Sequence, residues 1–207
     1  SRPEFISGNV ADDDGALIAK TKKDFGPFSD DARHLIKPFI GSSEFINGKP
    51  RYCLWVEDED LDLAHSQKSF VARFERVREK RTSLKAGPRA KAAANEPHKF
   101  AFRSNRYSTA LVIPRVSSEN RPYLPVGLVD KEVILGDRNF ALYDAPLWNM
   151  ALIASRLHWV WIGAVCVRMR TDFSYSNTLG WNTFPVPSLT EKSKADLTRC
   201  AENILLA

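Results

Sequence analysis

The longest regular pattern in the chain runs from Leu61 to about Leu84. There Leu63, Phe70, Val71, Phe74, Val77 and Leu84 keep roughly helical spacing, and Lys68, Arg73, Arg76, Lys80 and Arg81 fall on the opposite face. This predicts an amphipathic helix, ended by Gly87-Pro88 in the basic, small-residue stretch "KAGPRAKAAANEP". The first 35 residues read as an extended arm, in which "DDDG" signals a turn. "SDDARHLIKPFIG" reads as an N-capped helix stopped by Pro38. "EFINGKPRYCLWVEDED" sets two short apolar segments around Asn47-Gly48, the strongest short hairpin signal, with Tyr52 and Trp55 covering a core. "GSSEFINGK" is accordingly the approach to that hairpin. Expected strands follow in "HKFAFR", "STALVIPRV", "PYLPVGLV", "EVIL" and "FALY", with turns at Ser104-Asn105, Ser117–Asn120 and Gly136-Asp137. "DAPLWNMALIAS" opens a helix with Asp144 as N-cap and Pro146 in its first turn, and a second helical piece runs through "RLHWVWIGAV".

"CVRMRTDFSYSNTLGW" reads as extended and looped, with Pro185 and Pro187 fixing its exit. A last helix opens at "SLTEKSKADLTRCAENILLA", capped by Ser188 or Thr190, and its stripe Leu197, Ile204 and Leu205 has no evident partner. The expected fold class is α/β (α+β): a mixed sheet flanked by helices, one domain over residues 1–187, and residues 188–207 starting a further helical domain. The missing initiator methionine points to an excised piece of a longer chain.

Charge changes this picture. Residues 1–67 carry a net charge of −5, residues 68–106 a net +9 and residues 107–207 a net +1, so the basic character lies in the middle. A block that runs past its helix into loop and strand suits a polyanion, and Arg73, Arg76, Lys80, Arg81, Arg89 and Lys91 are its candidate phosphate contacts. The competing reading is a basic protein-interaction module docked on an acidic partner, with no DNA readout.

Other chemistry is excluded more easily. Cys53, Cys166 and Cys200 are odd in number and widely spaced, against a disulfide framework or zinc knuckle, and Cys166 reads as a core thiol. The four histidines are scattered, so no metal site is expected, and "EDEDLD" reads as a solvated helix start. No apolar run suits a membrane span and the N-terminus has no signal peptide, which points to the cytoplasm. No Gly-x-Ser-x-Gly elbow, Walker loop or dinucleotide fingerprint is present, so no catalytic residue is expected in this chain.

Five stretches in order, "GNVADDDGALI", "KPFIGSSEFINGKPRYCLWVED", "IPRVSSENRPYLPVG", "LWNMALIASRLHWVWI" and "DFSYSNTLGWNTFPVP", resemble the target-recognition domain of MmeI-like adenine-specific DNA methyltransferases. Those large bacterial polypeptides often fuse a nuclease, an S-adenosylmethionine-dependent methyltransferase, a target-recognition domain and a helical C-terminal domain. The resemblance implies double-stranded DNA as partner and a methyltransferase domain elsewhere in the same polypeptide. S-adenosylmethionine would bind that domain, and no cofactor this one, which lacks an Asn-Pro-Pro-aromatic motif. It also implies that the segment running through "YSN" reaches DNA.

The residues suit that role. Arg168 and Arg170 can be bidentate to guanine, Asn177 can pair with adenine, and Asp172 can accept from cytosine. Ser174, Ser176 and Thr178 can position phosphates, and Ser174 can also reach a base. Alternation in an extended strand puts 168, 170 and 172 on one side, where they can equally form a surface salt-bridge cluster. "PRVSSENR" adds Arg115, Ser118 and Asn120 as base readers and Arg121 as a backbone contact, and "GDRN" adds Arg138 and Asn139. For Tyr175, Trp181 and Phe184 the competing role is core packing.

Overall fold

The apolar segments sort into two hydrophobic clusters in the computed structural model, which describes residues 3–104 and 107–206. Each cluster organises a compact unit. The first comprises residues 1–7, 105–131 and 138–207, the second residues 8–104 and 132–137. Strands and helices are mixed throughout, as the α+β reading expects, but the strands form three small sheets rather than one.

The chain opens with β1 (Ile6–Ser7) of the first unit and then builds most of the second. Strands β2 (Ile18–Ala19), β3 (Ile36–Ile40) and β4 (Arg51–Leu54) are joined by β8 (Ile134–Leu135) in the order β2-β4-β3-β8, with β3 and β8 parallel. The segment expected to be an extended arm instead supplies core, because Ala16, Leu17, Phe25, Ala32 and Leu35 are all buried. "DDARHL" forms a 3-10 helix, and Pro38 lies inside β3, one residue before pairing with β8 begins, where a missing N–H is tolerated.

Asn47-Gly48 is not a hairpin turn. Residues Ser42–Asn47 form helix α1, and Gly48, at φ +63°, is its left-handed C-cap. β3 and β4 are still antiparallel neighbours, now joined through that helix. The long amphipathic pattern divides into α2 (Leu61–Ser66) and α3 (Lys68–Thr82). Gln67 leaves helical geometry between them, and its Oε1 accepts from the Ser29 N–H at 2.9 Å. Helix α4 (Pro88–Ala92) follows, with Pro88 in its first turn. "HKFAFR" forms no strand beyond a single bridge, Val10 to Phe102.

In the first unit, β5 (Thr109–Pro114), β7 (Gly127–Asp130) and β9 (Asn139–Tyr143) join β1 in an antiparallel sheet of order β1-β9-β5-β7. The third sheet is β10-β11-β6, from β6 (Val116–Ser117), β10 (Arg168–Met169) and β11 (Asp172–Ser174). Helices α5 (Trp148–Ala154), α6 (Arg156–Val165) and α7 (Glu191–Leu206) complete the unit. Asp144 is not the cap of α5. At φ +49° it turns its carboxylate to the N–H groups of Ser108 and Thr109 instead. Thr190 caps α7 through the Ser193 N–H. Helix α7 has a partner after all: it packs on α5, with Ala201 fully buried and Leu197 against the core. Among the described residues no helix is long and apolar enough to cross a membrane.

Two features hold the second unit's N-terminal turn. Asp13 is buried and its carboxylate accepts from the N–H groups of Gly15 and Leu17, at 3.1 and 2.5 Å. Arg81, fully buried, donates to five carbonyls: Ala11, Asp12, Ala93, Glu96 and Lys99, at 2.7–3.2 Å. Nearby, a Cβ on Gly8 would lie 2.3 Å from the Gly136 carbonyl oxygen, so the two backbone segments meet only because residue 8 has no side chain. Arg81→Met removes all five bonds and strands buried carbonyls. It should lower unfolding free energy by about 3 kcal/mol or more, read as a fall in urea midpoint at unchanged slope.

Candidate nucleic-acid interface

The segment from Arg168 to Ser174 is not one extended strand. β10 and β11 form a hairpin in which Arg168 faces Phe173 and Met169 faces Asp172, with Arg170-Thr171 at the tip. Arg170 sits there at φ +61°, so residues 168, 170 and 172 do not share a strand face by alternation. The alternation that does hold runs along β11 and beyond: Phe173 and Tyr175 are buried, while Asp172 and Ser174 are half-exposed.

The buried set explains the aromatic, amide-rich sequence after the hairpin. Phe173 meets Trp159 edge-on at 5.0 Å, and Tyr175 and Trp181 both pack on Phe5, at 5.8 and 5.4 Å. Trp181, with no exposure, donates its indole N–H to the Pro3 carbonyl at 2.7 Å. His158 is fully buried beside them. Its Nδ1 lies 3.0 Å from the Ile153 carbonyl, and its Nε2 lies 3.2 Å from the Gly180 carbonyl and 3.3 Å from the Tyr175 hydroxyl. Asn177 to Trp181 form a single π-helical turn, N-capped by the Ser176 hydroxyl, which accepts from the Leu179 N–H. A Cβ on Gly180 would come within 3.0 Å of the Tyr175 ring and 3.2 Å of Cys166 Sγ. Core packing is therefore the role of Tyr175, Trp181 and Phe184, all buried. Cys166 is likewise a buried free thiol, raised by burial above its ordinary pKa.

The structure brings the three candidate base-reading patches of the first unit together. β6 pairs with β11, Phe173 opposite Ser117 and Ser174 opposite Val116. The Tyr175 N–H donates to the Arg115 carbonyl at 2.7 Å, and the Arg115 N–H donates to the Arg138 carbonyl at 2.9 Å. Within this cluster the side chains differ in freedom. Arg168 lies 4.5 Å over the Phe173 ring and pairs with Glu119, not with Asp172 as a cluster of 168, 170 and 172 would have it. Arg115 lies 4.4 Å over Phe140 and donates to the Ser7 hydroxyl at 2.8 Å. Asn177 donates to the Phe5 carbonyl at 3.1 Å. The Ser118 hydroxyl accepts from the Asn120 N–H at 3.3 Å, and Asn120 itself is exposed. Arg121 is half-buried and Arg138 exposed. Asn139 has no exposure and pairs with Pro114 in the β5–β9 ladder, so its amide cannot meet a base edge and it leaves the candidate set. Arg170 and Asp172 have no side-chain partner among the described residues.

In the second unit the phosphate candidates divide. Arg76, Lys80, Arg89 and Lys91 are exposed, and Lys80 makes only a long 3.9 Å contact with Asp14. Arg81 is a buried structural cation, not a surface contact. Arg73 is half-buried: it donates to the Ala16 and Asp24 carbonyls and lies 4.7 Å over the Phe25 ring. Burial pulls both guanidinium pKa values down from the ordinary arginine range. A charge count cannot separate these two from the rest, but for Arg81 the spacing can: it lies seven residues after Phe74 and four after Val77, on the core-facing stripe and not on the opposite face expected of it. Lys68, Arg78 and Lys85 are exposed cations of the same block that join the set.

The acidic stretch holds one compact cluster. Ligand-type atoms of Asp58, Glu96 and His98 lie within 4.8 Å of one another, and the Lys99 ammonium sits 2.5 Å from Asp58 and 2.6 Å from Glu96. Lys99 thus supplies the positive charge there. Its hydrogen bonds hold both carboxyls below, and its own pKa above, their ordinary values, and burial pushes His98 down.

The family described as MmeI, target recognition domain, matches residues 1–188. The chain belongs to that family. DNA methyltransferase A of Bacillus subtilis (strain 168) is 33% identical over 218 residues, which span 98% of this chain and 23% of that protein. A solved structure of the Type IIL restriction-modification enzyme MmeI in complex with DNA covers 100% of this chain and 28% of its own, with TM-score 0.92 and 30% identity. This target-recognition domain therefore spans less than a third of either relative. At the tip of its hairpin, Arg170→Gly keeps the left-handed backbone and relieves its steric cost to a residue with a Cβ, roughly 1–2 kcal/mol. The variant should fold with unchanged or slightly higher thermal stability, measured by circular dichroism. A clear drop would mean that the side chain itself holds the turn.

Proposed function

We propose that this domain reads DNA sequence for a bacterial S-adenosylmethionine-dependent adenine methyltransferase of the restriction–modification type. The carrying observation is the β10–β11 hairpin, whose tip offers Arg170 and Asp172 without internal partners above a buried aromatic floor. A two-stranded ribbon fits the major groove. There Arg170 suits guanine O6 and N7, and Asp172 suits the cytosine amino group. Ser174, Ser118, Asn120 and Arg138 flank them. Arg168, Arg115 and Asn177 are already engaged, so they position the ribbon and its neighbours more readily than they meet bases. Arg76, Lys80, Arg89 and Lys91 hold phosphates, with Arg121 and Ser176 as further backbone contacts.

Flipping of the target adenine and methyl transfer belong to another domain of the same polypeptide, in the bacterial cytoplasm where the DNA lies. In "GSSEFINGK", Gly41 joins β3 directly to the six-residue α1 and Gly48 ends that helix. S-adenosylmethionine belongs, on this reading, to that other domain.

Two measurements test the reading. In the full-length parent, substituting Arg170 or Asp172 should relax or switch one base of the methylated site, since a bidentate contact discriminates by about 1–3 kcal/mol against about 0–1 for an exposed ion pair. Long-read sequencing of modified DNA from cells carrying each variant reads this out, and an unaltered motif in both would remove these residues from base reading. Replacing Arg76, Lys80 and Arg89 together should lower the log–log salt slope of duplex binding by roughly 0.9 per phosphate contact, about equally for all sequences. An unchanged slope would mean that α3 and α4 face something else.

A further inference from the structure

Helix α6 is apolar on both sides. Its inner face, His158, Trp159 and Ile162, is buried in the first unit's core. Leu157, Val160 and Ala164 recur at spacings of three and four residues, which places them on one outer stripe, while Trp161 turns toward the core and Phe184. Leu157 is 66% exposed and Val160 58% exposed, and Ala164 is exposed as well. The apolar surface continues past the helix in Val167 and Met169, 69% and 57% exposed. A helix apolar all round is a helix covered all round, and contiguous apolar patches on soluble domains mark interaction sites.

We infer that the outer face of α6 is where this domain seats against the rest of its own polypeptide. The inference rests on the reading of the chain as one domain of a longer methyltransferase. Two observations favour that occupant over a second copy. The relatives extend far beyond this domain, which covers 23% of one and 28% of the other, so most of such a chain remains to supply a covering surface. The patch is also small. Its exposed apolar side chains, Leu157, Val160, Ala164, Val167 and Met169, offer at most a few hundred Å², short of the roughly 800 Å² per partner that a stable free-standing interface needs. A tethered domain escapes that requirement, because linkage raises the effective concentration to about millimolar. The patch also leads directly into the β10–β11 hairpin, so a body resting on α6 lies beside the proposed reading tip.

The test uses the full-length parent without DNA, so that a failure of base reading does not affect it. Val160→Cys and, separately, Ala164→Cys are labelled with a maleimide under native conditions. Leu84→Cys serves as the open reference, since Leu84 is 98% exposed at the end of α3. Labelling is resolved by peptide mass spectrometry and oligomeric state by sedimentation. Cover by the same chain predicts that both α6 cysteines react at least about tenfold more slowly than residue 84 in a monomer, at every protein concentration. Labelling as fast as at residue 84 would overturn the inference. So would protection that appears only where the parent dimerises, because the occupant would then be a second copy. Should one substitution disturb its own site, the other variant reads the same face independently, and fast reaction at both positions counts against the proposal.

Discussion

The indole N–H of Trp181 donates to the Pro3 carbonyl from a side chain with no solvent exposure, joining positions 178 residues apart. Around that bond Phe5 and His158 each pack edge-on against both Tyr175 and the indole. The hairpin above depends on this floor. Two-residue β10 and three-residue β11 could not hold a geometry in water, where an isolated hairpin is marginal. Phe173 and Tyr175 anchor β11 from below, and β6 pairs with its outer edge. Gly180 is part of the same arrangement, since a Cβ there would press on the Tyr175 ring. Rigidity at the hairpin is thus supplied by residues that never reach the surface.

Charge follows a comparable division in the second unit. The +9 block reads in the sequence as one footprint, yet Arg81 is spent on five carbonyls and Arg73 on two more. A buried guanidinium with its donors satisfied by carbonyls organises loops rather than attracting a ligand. Arg81 gathers the Ala11-Asp12 turn, the end of α4 and the approach to Lys99, segments with too little apolar surface to fix themselves. The exposed cations that remain still outnumber Glu75 and Glu79 on α3, so the sign of the surface survives the correction.

What the sequence made legible follows how local each signal is. Helical periodicity placed α3, the α5–α6 pair and α7, and strand patterns placed β5 and β9, because a face repeated over several turns or pleats needs no knowledge of its partner. Asn47-Gly48 misled because a left-handed glycine serves a helix end as well as a type I′ turn, and only the context decides. Asp144 misled for a similar reason: its carboxylate can cap a helix or close a loop onto Ser108 and Thr109 with equal chemistry. The split into two units was not legible, since residues 132–137 leave their neighbours in sequence to complete the β3 edge of the other unit. At the candidate site the geometry differs from the straight strand that the sequence suggests. A two-residue turn at Arg170-Thr171 lacks glycine, asparagine or proline, so nothing marked it, and the strand was drawn straight through.

That unmarked turn bears on how such a domain can change what it reads. Along β11 the buried and outward positions alternate, so Asp172 and Ser174 can be replaced without touching Phe173 or Tyr175. Arg170 lies at the tip, where its backbone strain is borne by the turn and not by the core. Substitutions at these positions should therefore add nearly independently to fold stability, as they do for sites that share no partner. Placement is more tightly fixed than identity. Only Cys166 and Val167 separate the last residue of α6 from the first of β10, a reach of at most about 10 Å for the three intervening links. Cys166 is buried and its Sγ accepts from the Ser176 N–H, so this link is itself tied to the π-helical turn. A body docked on α6 would hold the hairpin at a set distance and angle while leaving the chemistry of its tip free to vary.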